Sequence, residues 1–529
     1  MENTIYSLIP PLLALLMVAL TRRVLLSLGA GIIAGALMLN DFNVGNTAIH
    51  VWEILRGLFV TQSDAGTWEL NKWTIFILLF LLLLGIMTSL IAIAGGSRAF
   101  GEWASKKVKS RVGAQLLTIF LGLIIFIDDY FNSLAVGNVS RPLTDRHRIS
   151  RAKLAYYIDS TAAPVCVISP VSSWGAYIIG LIGTILATHE VTNIGALEAF
   201  MKIIPMNIYA LSALLLVFAT AILNINLFSM KTHEERAINE GLVVDPASKS
   251  VPGQQMDLPE SDKGTVGDLI WPIIALIIGT VGAMLYTGAQ ATKGDVTLLA
   301  MFENTDVAKS LVWGALIGLA VTLIFFLTKG LPGKHLRLGI WKGLQSMLPA
   351  IYILVFAWVI VEIIDEIGTG KYLAGIVDGN INIAFLPVLL FIISGIMAFA
   401  TGTSWGTFGV MMPIAGEIAA ATDITYLLPV LAAVLAGSVF GDHCSPISDT
   451  TILSSTGAGS NHIDHVMTQL PYALLAALIS AAGFLVLGFT QSILITLLVS
   501  IVLLVIVSLA LKNVGSVNVE ASTETSSNK

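Results

Sequence analysis

Long apolar runs alternate with short polar stretches along nearly the whole chain. The runs cover residues 5–20, 24–39, 73–94, 112–127, 154–186, 203–228, 269–286, 310–327, 347–361, 383–400, 426–440, 467–490 and 493–511. About 20 helical residues cross the hydrocarbon core of a bilayer, so the pattern predicts an all-α polytopic membrane protein. The first two runs are short and would thin the bilayer locally. Four polar breaks fall inside otherwise apolar segments. They are Asp128-Asp129-Tyr130-Phe131-Asn132-Ser133, Ser169-Pro170-Val171-Ser172-Ser173, Thr401-Gly402-Thr403-Ser404-Trp405-Gly406, and the stretch Gly441–Thr451 with Asp442, His443, Cys444, Ser445, Pro446, Ser448, Asp449 and Thr450. Pro446 prevents a continuous helix. A polar, broken backbone at membrane depth persists only where it lines a cavity or an aqueous path.

The distribution of Lys and Arg adds orientation. Clusters at 95–111, 141–153 and 329–345 are expected in the cytoplasm. The first two flank 112–140, which would therefore enter and leave on one side as a re-entrant hairpin with Asp128–Ser133 at its tip. Residues 383–421 have only Lys371 nearby and read as a second hairpin, entering from outside with Thr403 and Ser404 at its tip. The expected topology is about 11 spans, N-terminus outside and C-terminus inside. Ser169–Ser173 and Ser445–Asp449 share the pattern S-P-[VI]-S-x, 276 residues apart. The chain then divides into an inverted repeat of two five-span halves. Residues 1–228 hold hairpin 112–140 and broken helix 154–186. Residues 267–490 hold hairpin 383–421 and broken helix 426–457. Between them, 229–266 is a cytoplasmic linker with a surface helix around 232–239; 491–511 is an extra span and 512–529 a disordered tail. Inverted repeats with broken helices mark secondary transporters, with the site at the repeat interface.

Composition agrees: 56% of the 529 residues are hydrophobic and 12% charged, about half the charge of a soluble domain. The net charge of −6 sits in loops and tails, and nucleic acid is not an expected partner. Cys166 and Cys444 read as packing residues. The start does not read as a secretory signal, because Arg22 and Arg23 follow the first apolar run. The absence of a G-x-x-x-x-G-K-[ST] loop argues against ATP-driven pumping.

The chemistry sits at the breaks. Asp128, Asp129, Asp159, Asp442 and Asp449 are the intramembrane carboxylates. Adjacent on a helix, Asp128 and Asp129 would not face one site. Oxygen donors from Asn132, Ser133, Ser172, Ser173, Thr403, Ser404, Ser445, Ser448 and Thr450 suit a hard cation, and exposed helix N-termini suit an anion. Asn132, Ser133, Ser404, Asp442 and Asp449 are the candidate Na+ ligands. A carboxylate that exchanges a proton for sodium provides a minimal antiport mechanism. The many neutral groups, with Trp174 and Trp405, equally allow a Na+- or H+-coupled carrier of an amino acid or small carboxylate. His443 could titrate or serve as a hydrogen-bonded structural residue. Ser445 or Cys444 beside it is the one conceivable nucleophile–base pair, and residues adjacent in sequence rarely have that geometry. Glu362, Asp365 and Glu366 read as a solvated outer rim or an ion vestibule. His462, Asp464 and His465 read as a helix start rather than a metal cluster. No resident cofactor is expected, only Na+ as transported or coupling ion.

Gly441–Thr451, the run Thr456–His465, Phe126–Ser133 and Asp159–Ser173 resemble the NhaC family of sodium/proton antiporters, and the resemblance covers about residues 70–490. It implies an ion-transporter superfamily fold in which two hairpins and two broken helices form the site. It further implies elevator-like movement of one domain against a scaffold, often within a homodimer, in a bacterial inner membrane. Members of the family include malate/lactate exchangers and amino-acid carriers.

Overall fold

The computed structural model describes residues 4–512 apart from 22, 63–66, 127, 171, 248–258, 293–295, 370, 371 and 373–381; the tail from 513 lies outside them. Its helices are α1 (Ile9–Thr21), α2 (Val24–Leu39), α3 (Val44–Gly57), α4 (Lys72–Ile93), α5 (Gly96–Lys107), α6 (Arg111–Ile124), α7 (Asp129–Arg146), α8 (Arg151–Cys166), α9 (Ser173–Thr188), α10 (Ala196–Ile203), α11 (Ile208–Ile222) and α12 (Ser229–Asn239). After the linker come α13 (Gly267–Ala291), α14 (Leu298–Glu303), α15 (Val307–Thr328), α16 (Gly333–Glu366), α17 (Leu386–Thr401), α18 (Ser404–Thr422), α19 (Leu427–Cys444), α20 (Asp449–Ala458), α21 (His462–Thr490) and α22 (Ile493–Lys512). A small antiparallel ribbon pairs Val60–Gln62 with Trp68–Leu70. Among the described residues, 8 helices are long and apolar enough to cross a membrane, or up to 10 if two bent pairs count as spans.

Each expected break is present. Helix α6 stops at Ile124 and α7 starts at Asp129; α8 stops at Cys166 and α9 starts at Ser173. Likewise α17 ends at Thr401 before α18 at Ser404, and α19 ends at Cys444 before α20 at Asp449. Local chemistry explains the restarts. Ser172 and Ser448, the fourth residues of the two S-P-x-S strings, are N-caps: Ser172 Oγ accepts from Gly175 N at 2.8 Å and Ser448 Oγ from Thr451 N at 3.3 Å. Thr403 caps α18 in the same way, through Gly406 N at 3.4 Å. Such caps satisfy N–H groups that a helix start would otherwise leave without partners.

Two apolar clusters flank the breaks. One gathers α2, α4, α13, α15 and α16 with parts of α7 and α20; the other gathers α9, α11, α17, α18, α19 and α21. Helix α8 runs between them and is buried from Ala152 to Cys166: Leu154 and Ile158 face one cluster, Tyr156 and Tyr157 the other. Close approach is secured by small residues, as in other membrane bundles. A Cβ on Gly137 of α7 would lie 2.3 Å from the Gly457 backbone of α20. Gly402 ends α17 at φ +71, a left-handed conformation favourable for glycine.

Candidate functional site

The first hairpin closes on one side chain. Asn132 donates to the carbonyls of Gly122 (2.7 Å) and Ile125 (2.6 Å) at the end of α6, and to Thr161 O (3.3 Å) on α8. Three carbonyls around the nitrogen fix the amide orientation, which leaves Oδ1 buried without a hydrogen-bond partner. Ser133, next in the chain, shares a 3.1 Å hydrogen bond with Ser454 of α20.

The tip of this hairpin faces the second broken helix. Thr450 donates to Asp129 Oδ2 at 3.1 Å, Trp174 Nε1 donates to Asp129 Oδ1 at 2.9 Å, and the Tyr130 hydroxyl donates to Asp449. Asp449 also accepts from Thr450 N at 2.8 Å. On the other side of the break, Ser404 donates to Asp442 Oδ2 at 2.9 Å, and Asp442 Oδ1 is buried without a partner. Residues from the first, third and fourth breaks therefore meet in pairs, with Trp174 reaching in from just past the second, whereas Ser172 and Ser445 turn to backbone. Ser172 donates to Cys166 O (2.7 Å) and Ser169 O (2.9 Å), and Ser445 to Phe399 O (2.8 Å). The Ser173 side chain lies outside the described residues.

One sequence inference needs correction. Asp128 and Asp129 do line one cavity together. The helix begins at Asp129, so Asp128 is in the non-helical break and is not bound by helical spacing. The cavity has a volume of about 540 Å³. Asp449, Tyr130 and Thr403 also line it, with Trp73, Tyr177, Phe302, Thr305, Asp306, Val307, Trp358 and Trp405.

Asp159 and His443 belong to a hydrogen-bond network joined through Gln469, and Ser454 connects it to Ser133 of the first hairpin. Asp159 accepts from Thr451 (3.3 Å), Ser454 (3.1 Å) and Gln469 (2.5 Å) and pairs with His465 Nε2 (3.1 Å). His443 bonds Tyr209 through Nδ1 (2.7 Å) and Ser160 through Nε2 (3.1 Å), so neither ring nitrogen serves Ser445 or Cys444. His462 bonds Ser455 and Pro446 O. Asn461 caps α21 through Ile463 N and Asp464 N, consistent with a helix start. Glu362 and Glu366 line a second cavity of about 480 Å³ with His50 and Glu53. Both cysteines are buried and free.

With this geometry, the comparison with known proteins is decisive. The model of the Na+/H+ antiporter family matches residues 165–489, more than half of the chain. The chain belongs to the Na+/H+ antiporter family. An uncharacterized protein of Haemophilus influenzae is 46% identical over 515 residues, 97% of this chain and 96% of that one. The malate-2H+/Na+-lactate antiporter of Bacillus subtilis is 32% identical over 181 residues, 32% of this chain and 36% of its own. The arginine/ornithine antiporter of Halobacterium salinarum is 29% identical over 199 residues, 37% and 40% of the two chains. The protein is thus a secondary antiporter and a multi-pass protein of the bacterial plasma membrane.

Several cavity residues of the antiporter carry no signal in its sequence. Trp73, Tyr177 and Trp358 lie in or beside apolar runs, where aromatic anchors are common. Asp306 caps α15 by accepting from Lys309 N at 3.0 Å, so its type and place are those of any helix start.

Proposed function

We propose that this antiporter exchanges Na+ against H+ by elevator-like alternating access. One observation carries the reading: at the first and the fourth break, Asn132 Oδ1 and Asp442 Oδ1 are each buried without a hydrogen-bond partner. An unpaired buried carboxylate oxygen is costly. It is relieved by a proton or by a cation, and the two compete. Asn132, Ser133, Ser404, Asp442 and Asp449 are assigned to the cation, with carbonyls at the ends of α6 and α19 as further donors. Arrival of Na+ displaces the proton, and reprotonation on the other face releases Na+. Trp73 and Asp306 line the cavity and are exposed, and the Lys and Arg distribution supports an outside position for both. The two apolar clusters on either side of the breaks are suited to act as mobile part and scaffold.

A second reading, a Na+- or H+-coupled carrier of an amino acid or small carboxylate, draws on the size of the cavity. It also draws on the names of the malate/lactate and arginine/ornithine relatives.

Purified protein in liposomes with a trapped pH dye tests the first reading. A Na+ pulse without organic solute should move protons. Saturation with Na+ at 100 times Kd should stabilise the wild type by about 2.7 kcal/mol. Asp442→Asn and Asp449→Asn should each remove that stabilisation. Wild-type Na+ affinity in both variants would overturn the assignment.

A further inference from the structure

The cavity at the breaks is far larger than an inorganic cation needs. Its volume of about 540 Å³ falls in the range of small-molecule sites. Its charge has one sign: Asp128, Asp129 and Asp449 line it together with Asp306, and no Lys, Arg or His lines it among the described residues. Burial orders these groups. Asp128 and Asp129 are 4% and 3% exposed at the floor, whereas Asp306 and Trp73 are exposed at the mouth.

Most of the remaining wall is aromatic, with Thr305, Val307 and Thr403 between the rings. Trp405 stacks on Tyr177 with ring centroids 4.7 Å apart and meets Trp174 edge-on at 5.9 Å. Trp358 and Trp73 line the same cavity. Aromatic faces attract alkylated ammonium groups, whose charge is spread over a weakly hydrated surface. They offer little to Na+, which keeps its water or takes oxygen ligands. A ligand with its own carboxylate would meet four acids and no cation to pair with.

We propose that this cavity binds an organic ammonium ion that lacks a carboxylate, and that the antiporter moves this ion in exchange for H+. The proposal rests on the antiporter reading above and adds a cargo to it. The ammonium head lies at Asp129 and Asp449, and its alkyl groups lie against the rings. Its arrival displaces one proton from the carboxylates, so charge is conserved at the site.

Full-length antiporter in liposomes with a trapped pH dye is given tetramethylammonium or choline. Their fixed charge prevents passage as a neutral base. The expected result is saturable, protein-dependent proton movement and a change in tryptophan fluorescence, with no response to lactate or malate. Trp358→Ala should raise the half-saturating concentration of choline roughly tenfold, and Trp358→Phe should recover most of it. Na+ is tested in parallel. If Na+ moves protons while the quaternary ions neither move protons nor change fluorescence, the inference is overturned and the Na+ reading stands. If the quaternary ions move protons and Na+ does not, the inference stands and the Na+ reading fails. Proton movement driven by lactate or malate in place of the ammonium ions also overturns the inference.

Discussion

Asn132 does two things with one amide. Its nitrogen satisfies carbonyls that the end of α6 would leave without partners, and its oxygen is left facing no donor. Asn132→Ala should therefore cost about 1–3 kcal/mol of stability, seen as a lower Tm in detergent, and should weaken the Na+-dependent rise in Tm. A variant with unchanged Tm and unchanged Na+ response would remove Asn132 from both roles. At this scale the sequence was only partly legible. The polarity of Asp128–Ser133 was visible because charge and amide stand out in an apolar run. The partners were not, since Asp129 meets Thr450, Ser133 meets Ser454 and Asp159 meets Gln469, each about 300 residues away. Asp159 and His443 were candidates by residue type; Asp159 reaches Ser133 through the shared partner Ser454, and His443 bonds Tyr209 and Ser160, partners the sequence did not reveal.

At the scale of elements, the two helix breaks at S-P-x-S were legible because proline disfavours a continuous helix there and serine is a residue that restarts one. Short amphipathic pieces were not. The basic stretch 95–111 contains α5, with Lys106 and Lys107 in its last turn, where the helix dipole favours positive charge. Read for its charge alone, that stretch passes for a loop. The structure also bears on how the first hairpin's topology is tested. Thr144, near the C-terminal end of α7, is fully buried and unsuitable for labelling, whereas Arg146 is exposed. Arg146→Cys should react with a membrane-impermeant maleimide only from the cytoplasmic side, and Thr192→Cys, exposed between α9 and α10, only from outside. Labelling of Arg146→Cys from outside would rule out a hairpin that enters and leaves on the cytoplasmic face.

At the scale of the whole molecule, the linker is a clasp. Residues 229–266 read as polar loop with a surface helix, yet α12 buries Glu234 completely. Its carboxylate pairs with Arg111 at 2.6 Å where α6 begins, approaches Lys153 of α8 at 3.6 Å, and accepts from Ser150 N at 2.8 Å. One acid thus ties the linker to the first hairpin and to the first broken helix. Burial pushes the Glu234 carboxyl upward, but Lys153 and Arg111 outweigh it and hold the group below the usual glutamate range. A depressed carboxyl contributes its stability in full above the unfolded value of about 4.3 and loses it as pH falls through the lower folded value. Glu234→Gln leaves both cations without their counter-charge and should cost about 3–5 kcal/mol at neutral pH. The Tm difference between wild type and variant should be constant from pH 7 to about 5 and shrink below about pH 4.3, as the wild-type carboxylate is itself neutralised. A difference that stays the same down to pH 3 would show that the variant acts through packing and not through charge. The clasp also bears on movement. Glu234 is shared by Arg111 and Lys153, beside the bonds of Arg148 to Ile238 O and of Arg151 N to Val243 O, so Glu234→Gln loosens the linker's hold on the first hairpin and α8 and should alter the rate of Na+-driven proton exchange even where the cation affinity at Asp442 and Asp449 is unchanged.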